Sequence, residues 1–220
     1  MIEWKETSVN GDIFVPIEFE LTEEQGLRVY ALEEIRPVAL EWKTLHGSDP
    51  FSDASLNYLW DALDPFLEGK GYAPDRFRDR WSYILECDAS SVQRERISPL
   101  VQPLPAQTAE KNRTTLPLSE VLAEGCIAYG RVEDNAILSV AVGRQRENKI
   151  EFTVETVPEA RNKGYAAAAL ATAVASLEKG KTARYRCHRY HTASLAVAKA
   201  AGFRIVGKYY RYLGRRKNGI

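Results

Sequence analysis

The chain has 220 residues, with thirty lysines and arginines balancing thirty aspartates and glutamates, and it is 45% hydrophobic and 27% charged. That is ordinary globular usage, and a chain of this length buries roughly 70–75% of its unfolded surface, enough for a core without staples. A zero balance argues against nucleic acid as partner, and no run reaches about 18 uncharged apolar residues, so no membrane span is expected.

The opening segment, MIEWKETSVNGD, lacks the basic and then apolar pattern of a secretory signal. DIFVPIEFEL (12–21) alternates Ile13, Val15, Ile17, Phe19 and Leu21 at period two and predicts a strand, with Pro16 at an edge or bend. Thr22 is then expected to cap a helix with Glu23 and Glu24 in its first turn, breaking before Pro37 and resuming to Leu45. SDASLNYLWDALDPFLEG (52–69) predicts a second helix and 74–86 a third. Trp42, Trp60, Phe66, Phe77 and Trp81 are expected in the core, with substrate lining as the alternative for one or two of them.

ISPLVQPLPAQTAEKNRTTLP (97–117) carries four prolines and cannot be one regular helix. A linker and an irregular crossover are both open. EGCIAYGRV (124–132) and NAILSVAVG (135–143) read as strands joined by a hairpin turn at 133–135. After the polar turn RQREN (144–148), KIEFTVETV (149–157) alternates strictly. YAAAALATAVASLEKG (165–180) predicts a helix, TARYRCHR (182–189) a strand, and ASLAVAKAA a short helix capped by Thr192 and ended by Gly202. FRIVG and KYYRYLG close the order as two strands. Cys87, Cys126 and Cys187 have no metal-ligand spacing and fit free thiols in a reducing, cytoplasmic setting. No metal is expected.

The segment most able to bind a ligand is Val157-Pro158-Glu159-Ala160-Arg161-Asn162-Lys163-Gly164-Tyr165-Ala166, between a strand and a helix. The first amides of a helix lack intrahelical partners and point outward at the positive end of its dipole. Arg161 and Lys163 add charge, and Gly164 lets a ligand approach the backbone, so the turn suits phosphate or pyrophosphate. An ordinary turn with solvated basic residues is the competing reading.

Arg161, Gly164 and Ala166, preceded by Pro158-Glu159, resemble the acyl-CoA pyrophosphate loop of the GNAT acetyltransferase superfamily. A second block, Ala193-Ser194-Leu195-Ala196-Val197-Ala198-Lys199-Ala200-Ala201-Gly202-Phe203, resembles that family's later helix and the strand after it. The wording is also similar to a branch related to antibiotic self-resistance acetyltransferases. The resemblance covers roughly residues 120–213. It implies an α/β (α+β) fold, a mixed, splayed sheet flanked by helices, with a helix-rich N-terminal half.

Under it, residues 1–100 would carry the first strand and the acceptor side of the cleft, 101–117 a proline-rich connection, and 118–220 the acyl-CoA-binding core. The resemblance implies that backbone groups of Val154, Glu155 and Thr156 pair with the pantetheine arm of acetyl-CoA. Amides of Arg161, Asn162, Lys163, Gly164, Tyr165 and Ala166 would hold the pyrophosphate, and Ser194 would flank the thiol end. The activity implied is acetyl transfer to a primary amine of a small molecule or a protein.

The amine must lose a proton to attack. Glu155, beside the expected splay, is the first candidate base. Glu151, about 13 Å earlier by strand rise, is the second. His191 stands where the family has asparagine and could replace its hydrogen bond, titrate near neutral pH, or cap the helix beside Thr192. Ala198 replaces a tyrosine that many members use as acid, so Tyr190, Tyr209, Tyr210 and Tyr212 become candidates. The thiolate could also leave unaided. Cys187 as a nucleophile is rejected, because no base is placed with it. The basic tail LGRRKNGI could meet the cofactor's 3′-phosphate or lie solvated. The expected partner is a small amine, and the expected assembly includes a homodimer. A CoA-binding sensing or interaction module without turnover is the alternative function, and a nucleotide site is a weaker third.

Overall fold

The computed structural model describes residues 2–6, 9–75, 81–146 and 148–217. Its elements are β1 (Ile2–Lys5), β2 (Val9–Asn10), β3 (Ile13–Thr22), β4 (Gly26–Leu32), α1 (Arg36–His46), α2 (Asp53–Gly69), β5 (Tyr72–Pro74), β6 (Ser82–Asp88) and β7 (Val101–Pro103). There follow α3 (Leu118–Ala123), β8 (Ile127–Glu133), β9 (Ala136–Arg146), β10 (Lys149–Thr156), α4 (Tyr165–Ala175), β11 (Thr182–His188), α5 (Thr192–Ala201) and β12 (Arg204–Arg216). The chain divides into two compact units, one of residues 1–83, 188–190 and 206–220, the other of residues 84–187 and 191–205. No helix is long and apolar enough to cross a membrane among the described residues.

In the first unit the strand order is β1-β4-β3-β12, with β2 on β3 and β5 on β12. Phe19 is its centre, with ring centroids 4.6 Å from Trp42 and 5.2 Å from both Phe51 and Tyr210. The Trp42 indole N–H donates to the buried Ser55 hydroxyl at 2.8 Å. Trp60 donates to the Tyr210 hydroxyl at 2.9 Å. These tryptophans, with Trp81 and Phe66, belong to this core as expected. Phe77 lies outside the described residues.

Three sequence expectations are corrected here. The helix after Thr22 is instead a hairpin into β4, whose Val29 and Ala31 face the core. The Thr22 hydroxyl caps only a turn, accepting from Gln25 N at 3.1 Å. The helix begins later, at Arg36, and Pro37 sits in its first turn, where its missing N–H is harmless. The third helix is replaced at its C-terminal end by strand β6, with Ile84 and Leu85 both fully buried. A strand buried on both faces loses the alternation that would have revealed it. The two closing strands are one, β12, because Gly207 continues the pairing with β3 opposite Thr22.

The second unit holds the order β6-β11-β10-β9-β8-β7. The β8–β9 turn places Asp134 and Asn135 at φ 46° and 64°, both left-handed, as a primed hairpin turn requires. Helix α4 packs against β8, β9 and β10, and α5 packs against α4. Ala167, Ala169, Ala171 and Ala173 are buried along α4, and small side chains let it approach closely. The opposite face of the sheet is covered by α3 and residues 104–116, around Leu104, Leu118, Val140 and Val142. The proline-rich segment therefore packs within this unit, with Leu104 buried and Arg113 N donating to Ile137 O at 3.3 Å.

Candidate functional site

Strand β10 pairs with β9 over its whole length, from Lys149–Arg146 to Thr156–Ser139. Its parallel ladder to β11 is half as long, running from Lys149–Thr182 only to Phe152–Tyr185. Beyond that last rung the two strands part. The edge of Thr153, Val154, Glu155 and Thr156 that faces β11 has no strand partner among the described residues. An open strand edge is a row of amides and carbonyls ready to pair with an extended ligand.

The chain leaves β10 through a single 3₁₀ turn, Pro158–Ala160, into the basic loop. Asn162 has φ 61° and Gly164 φ 79°, so two left-handed residues bend the backbone just before α4. Left-handed residues within a turn are the backbone pattern from which anion-holding nests are built. The first intrahelical bond is Ala168 N to Gly164 O at 3.0 Å, which leaves the preceding helical amides to the loop's concavity. The Arg161 guanidinium turns back onto the strand and donates to Thr156 O at 3.3 Å. Residues 161–164 are exposed. A Cβ on Gly164 would have only the Arg96 guanidinium within 4 Å, so the backbone is accessible and a further cation stands beside it.

Tyr165 is pinned at the helix start. Its hydroxyl donates to Glu133 at 2.8 Å, and the Arg131 guanidinium lies 5.1 Å from its ring centre. The hydrogen bond from Tyr165, with help from Arg131, holds the Glu133 carboxyl below its usual range.

The candidate catalytic residues take different positions. Glu155 lies on the open part of β10, and its carboxylate accepts from Thr115 N at 3.0 Å and the Thr115 hydroxyl at 2.9 Å. Asn112 shapes that loop by accepting from Thr114 N at 3.1 Å and donating to Leu116 O at 2.7 Å. Glu151 is gripped at both oxygens by Arg186, at 2.7 and 2.6 Å. His191 is exposed, at the N-cap of α5, with no side-chain cap bond. Thr192 is the first helical residue rather than the cap, so the capping roles expected of both are corrected.

Ser194 sits beside the last rung of the fork, its hydroxyl 2.9 Å from that of Tyr185. Cys187 is buried nearby; burial pushes its thiol up, and the Ser194 hydroxyl opposes that. Tyr209 donates to Glu18 and Tyr212 to Asp64, while Tyr210 accepts from Trp60. Tyr190 lies exposed beside Arg189. Of the basic tail, residues 213–217 are described: Arg215 pairs with Asp75, and the last three residues lie outside the described residues.

Sequence reading missed Thr115, Arg96 and a group of arginines on the α3 face. Arg144 and Arg146 alternate on β9, and Arg184 and Arg186 on β11. Period-two arginines inside apolar strands were the available signal. Among the described residues no three His, Cys, Asp or Glu side chains gather as a metal site.

Residues 125–212 match the family model described as GNAT acetyltransferase. No curated protein matches the chain. Among solved structures it is similar to a GCN5-related N-acetyltransferase-like protein from Streptococcus suis, at 18% identity and a TM-score of 0.51, over 71% of this chain and 68% of that one. It is also similar to a GNAT-family acetyltransferase from Colwellia psychrerythraea, at 15% identity and a TM-score of 0.50, over 93% and 82% of the two chains. At such identities the likeness concerns the fold. The matched segment carries the fork, the basic turn and Ser194, so the likeness to the GNAT acetyltransferase family rests on these residues.

Proposed function

We propose that the protein transfers an acetyl group from acetyl-CoA to a primary amine of a small molecule. The observation that carries this reading is the fork between β10 and β11, which opens beside an amide-lined, cationic turn. The residues suit the cosubstrate. The edge of Val154, Glu155 and Thr156 would pair with the pantetheine amides, the Thr156 carbonyl exchanging its bond from Arg161. Arg161 N already donates to Pro158 O at 3.3 Å, so the amides from Asn162 to Ala166 would hold the pyrophosphate, with Lys163 and Arg96 nearby, and Ser194 would flank the sulfur. Bound acetyl-CoA supplies a thioester carbonyl.

Glu155 takes a proton from the amine, directly or through water. Thr115 fixes the carboxylate's orientation for that transfer. The neutral amine nitrogen bonds to the carbonyl carbon as the carbon–sulfur bond breaks, the sulfur departs as thiolate, and the nitrogen's second surplus proton passes to water. A thiol pKa near ~8.5 makes it a leaving group that needs no dedicated acid. Glu151 is a weaker base candidate, because Arg186 already occupies both its oxygens.

Ala198, fully buried, supplies no hydroxyl at the place of the family's tyrosine. It favours the second reading, a module that binds CoA without turnover. Calorimetric titration with acetyl-CoA, followed by an amine panel scored for CoA release, separates the two. The expected result is micromolar binding that Gly164→Glu abolishes and Gly164→Ala largely keeps, with release that requires an amine and disappears in Glu155→Gln. Absence of binding by the wild type would overturn both readings. Binding without release on any amine would leave the module.

A further inference from the structure

On the face opposite α4, a cavity of about 250 Å³ is lined by Arg144 and Arg146 of β9, Glu151 and Thr153 of β10, Arg186 of β11, and Leu116, Val121 and Val142. Its position follows from the ladder. The last β10–β11 rung is Phe152–Tyr185, so Thr153 and Arg186 are the first residues past it on each strand. The cavity therefore runs along the paired ladder, where Arg144 stands opposite Glu151 and Arg146 opposite Lys149, and ends at the fork, one side-chain pair before Glu155 on the same face. By strand rise Thr153 and Glu155 are about 7 Å apart.

The chemistry of the lining is specific. Three guanidiniums and one carboxylate, Glu151, line it, and Arg186 holds that carboxylate in a two-point grip. Arg144 reaches outward to Glu124. Arg146 has no carboxylate partner among the described residues. The adjoining strand positions add Lys149 and Arg184, both on Glu86. Across this face the described cations Arg144, Arg146, Lys149, Arg184 and Arg186 face Glu86, Glu124, Glu151 and Glu155. The guanidinium fork matches a planar carboxylate, and the floor of Leu116, Val121 and Val142 is apolar. The volume lies below the range of drug-sized ligand sites, about 300–1,000 Å³, which suits a small molecule.

We propose that this cavity is the acceptor subsite and that the acceptor is an amino acid: its carboxylate seats against Arg144 and Arg146, its side chain packs on the apolar floor, and its amine projects past Thr153 toward Glu155. This rests on the acetyl-transfer reading. That reaction forms the amide bond, sends the amine's proton to Glu155 and releases the thiolate, so the carboxylate is untouched and serves for recognition.

The test uses the full chain with acetyl-CoA and a panel of α-, β- and γ-amino acids, each beside its carboxamide. CoA release gives kcat and KM, and calorimetry gives direct binding of the same probes. At least one acid is expected to exceed its amide in kcat/KM by about 10- to 100-fold, the effect of one hydrogen bond to a charged group. Arg146→Gln and Arg144→Gln should each cut that preference about tenfold through KM for the acid, with KM for acetyl-CoA unchanged. Melting curves confirm that both variants fold. Amides used as well as acids, a preference that survives both substitutions, or turnover confined to amines without a carboxylate would overturn the subsite and leave acetyl transfer standing. Failure of acetyl-CoA itself to bind would remove the reaction on which the subsite rests.

Discussion

Gly202 ends α5 at φ 105° and ψ 5°. An L-residue in the left-handed region costs about 1–2 kcal/mol. A Cβ at this position would also stand 2.7 Å from Ser91 O, 3.0 Å from Gln93 N and 3.1 Å from the Val92 Cα. All three are backbone atoms, and Gln93 N is itself bonded to Ala201 O at 3.2 Å. Relief requires residues 91–93 to withdraw from the helix end, an overpacking cost of about 1–3 kcal/mol. Gly202→Ala is therefore expected to lose about 2–5 kcal/mol. Gly164→Ala is the internal control: its φ is 79°, but its nearest atom is the tip of the flexible Arg96 side chain at 4.0 Å. It should lose only the strain, about 1–2 kcal/mol. At about 2–4 °C per kcal/mol for a chain of this size, Tm should fall by about 4–20 °C in the first and 2–8 °C in the second. Thermal melts and urea titrations followed by circular dichroism measure both. Equal losses would refute the close approach of residues 91–93 to α5.

Glu155→Gln should lower kcat by about 10²- to 10⁴-fold with acetyl-CoA affinity retained, and Thr115→Val should lower it less, because the Thr115 amide still reaches the carboxylate; reversal of that order in steady-state assays would count against the assignment. Burial pushes the Cys87 thiol up to about 11, so at pH 8 only about one molecule in a thousand is thiolate. Iodoacetamide should leave Cys87 unlabelled in native protein and label it in urea, as read by peptide mass spectrometry. Burial raises the Glu18 carboxyl, but hydrogen bonds from Lys5 and Tyr209 outweigh it and hold the group below its ordinary value. A carboxyl depressed in the folded state adds stability above its unfolded pKa and loses it as pH falls through the folded one. The urea midpoint should therefore fall on acidification below about pH 4.5 in the wild type and fall less steeply in Glu18→Gln.

The legible parts of the sequence were those where local pattern and tertiary role agree. KIEFTVET alternates because one face of β10 meets α4 and the other meets the charged side. The stretch from Asn162 to Gly164 announces a bend because the left-handed backbone there needs residue types that tolerate it. The order of elements from 124 to 203 followed. β4 and β6 were illegible for a different reason. Glu23 and Glu24 imitate a helix start, whereas pairing with β3 decides the conformation of GLRVYAL. SYILECD is buried on both faces and has no period to read. Thr115 was hidden too, since its contact with Glu155 spans 40 positions and depends on how Asn112 folds the loop. Arginines 144, 146 and 186 looked like solvated charge until the ladder placed them around one cavity.

The first unit draws residues from both sides of the second in sequence: β3 needs β12, and Phe19 needs Tyr210. On the ribosome, residues 1–83 emerge early yet lack the strand that closes their sheet until residues 206–216 follow. The second unit, interrupted only by residues 188–190, has its full set of strands sooner. Synthesis thus leaves one edge of β3 and an incomplete aromatic cluster waiting through some 120 intervening positions. That interval is when the nascent chain most needs a chaperone, and a stall within it would release a species ready to pair with its own copies.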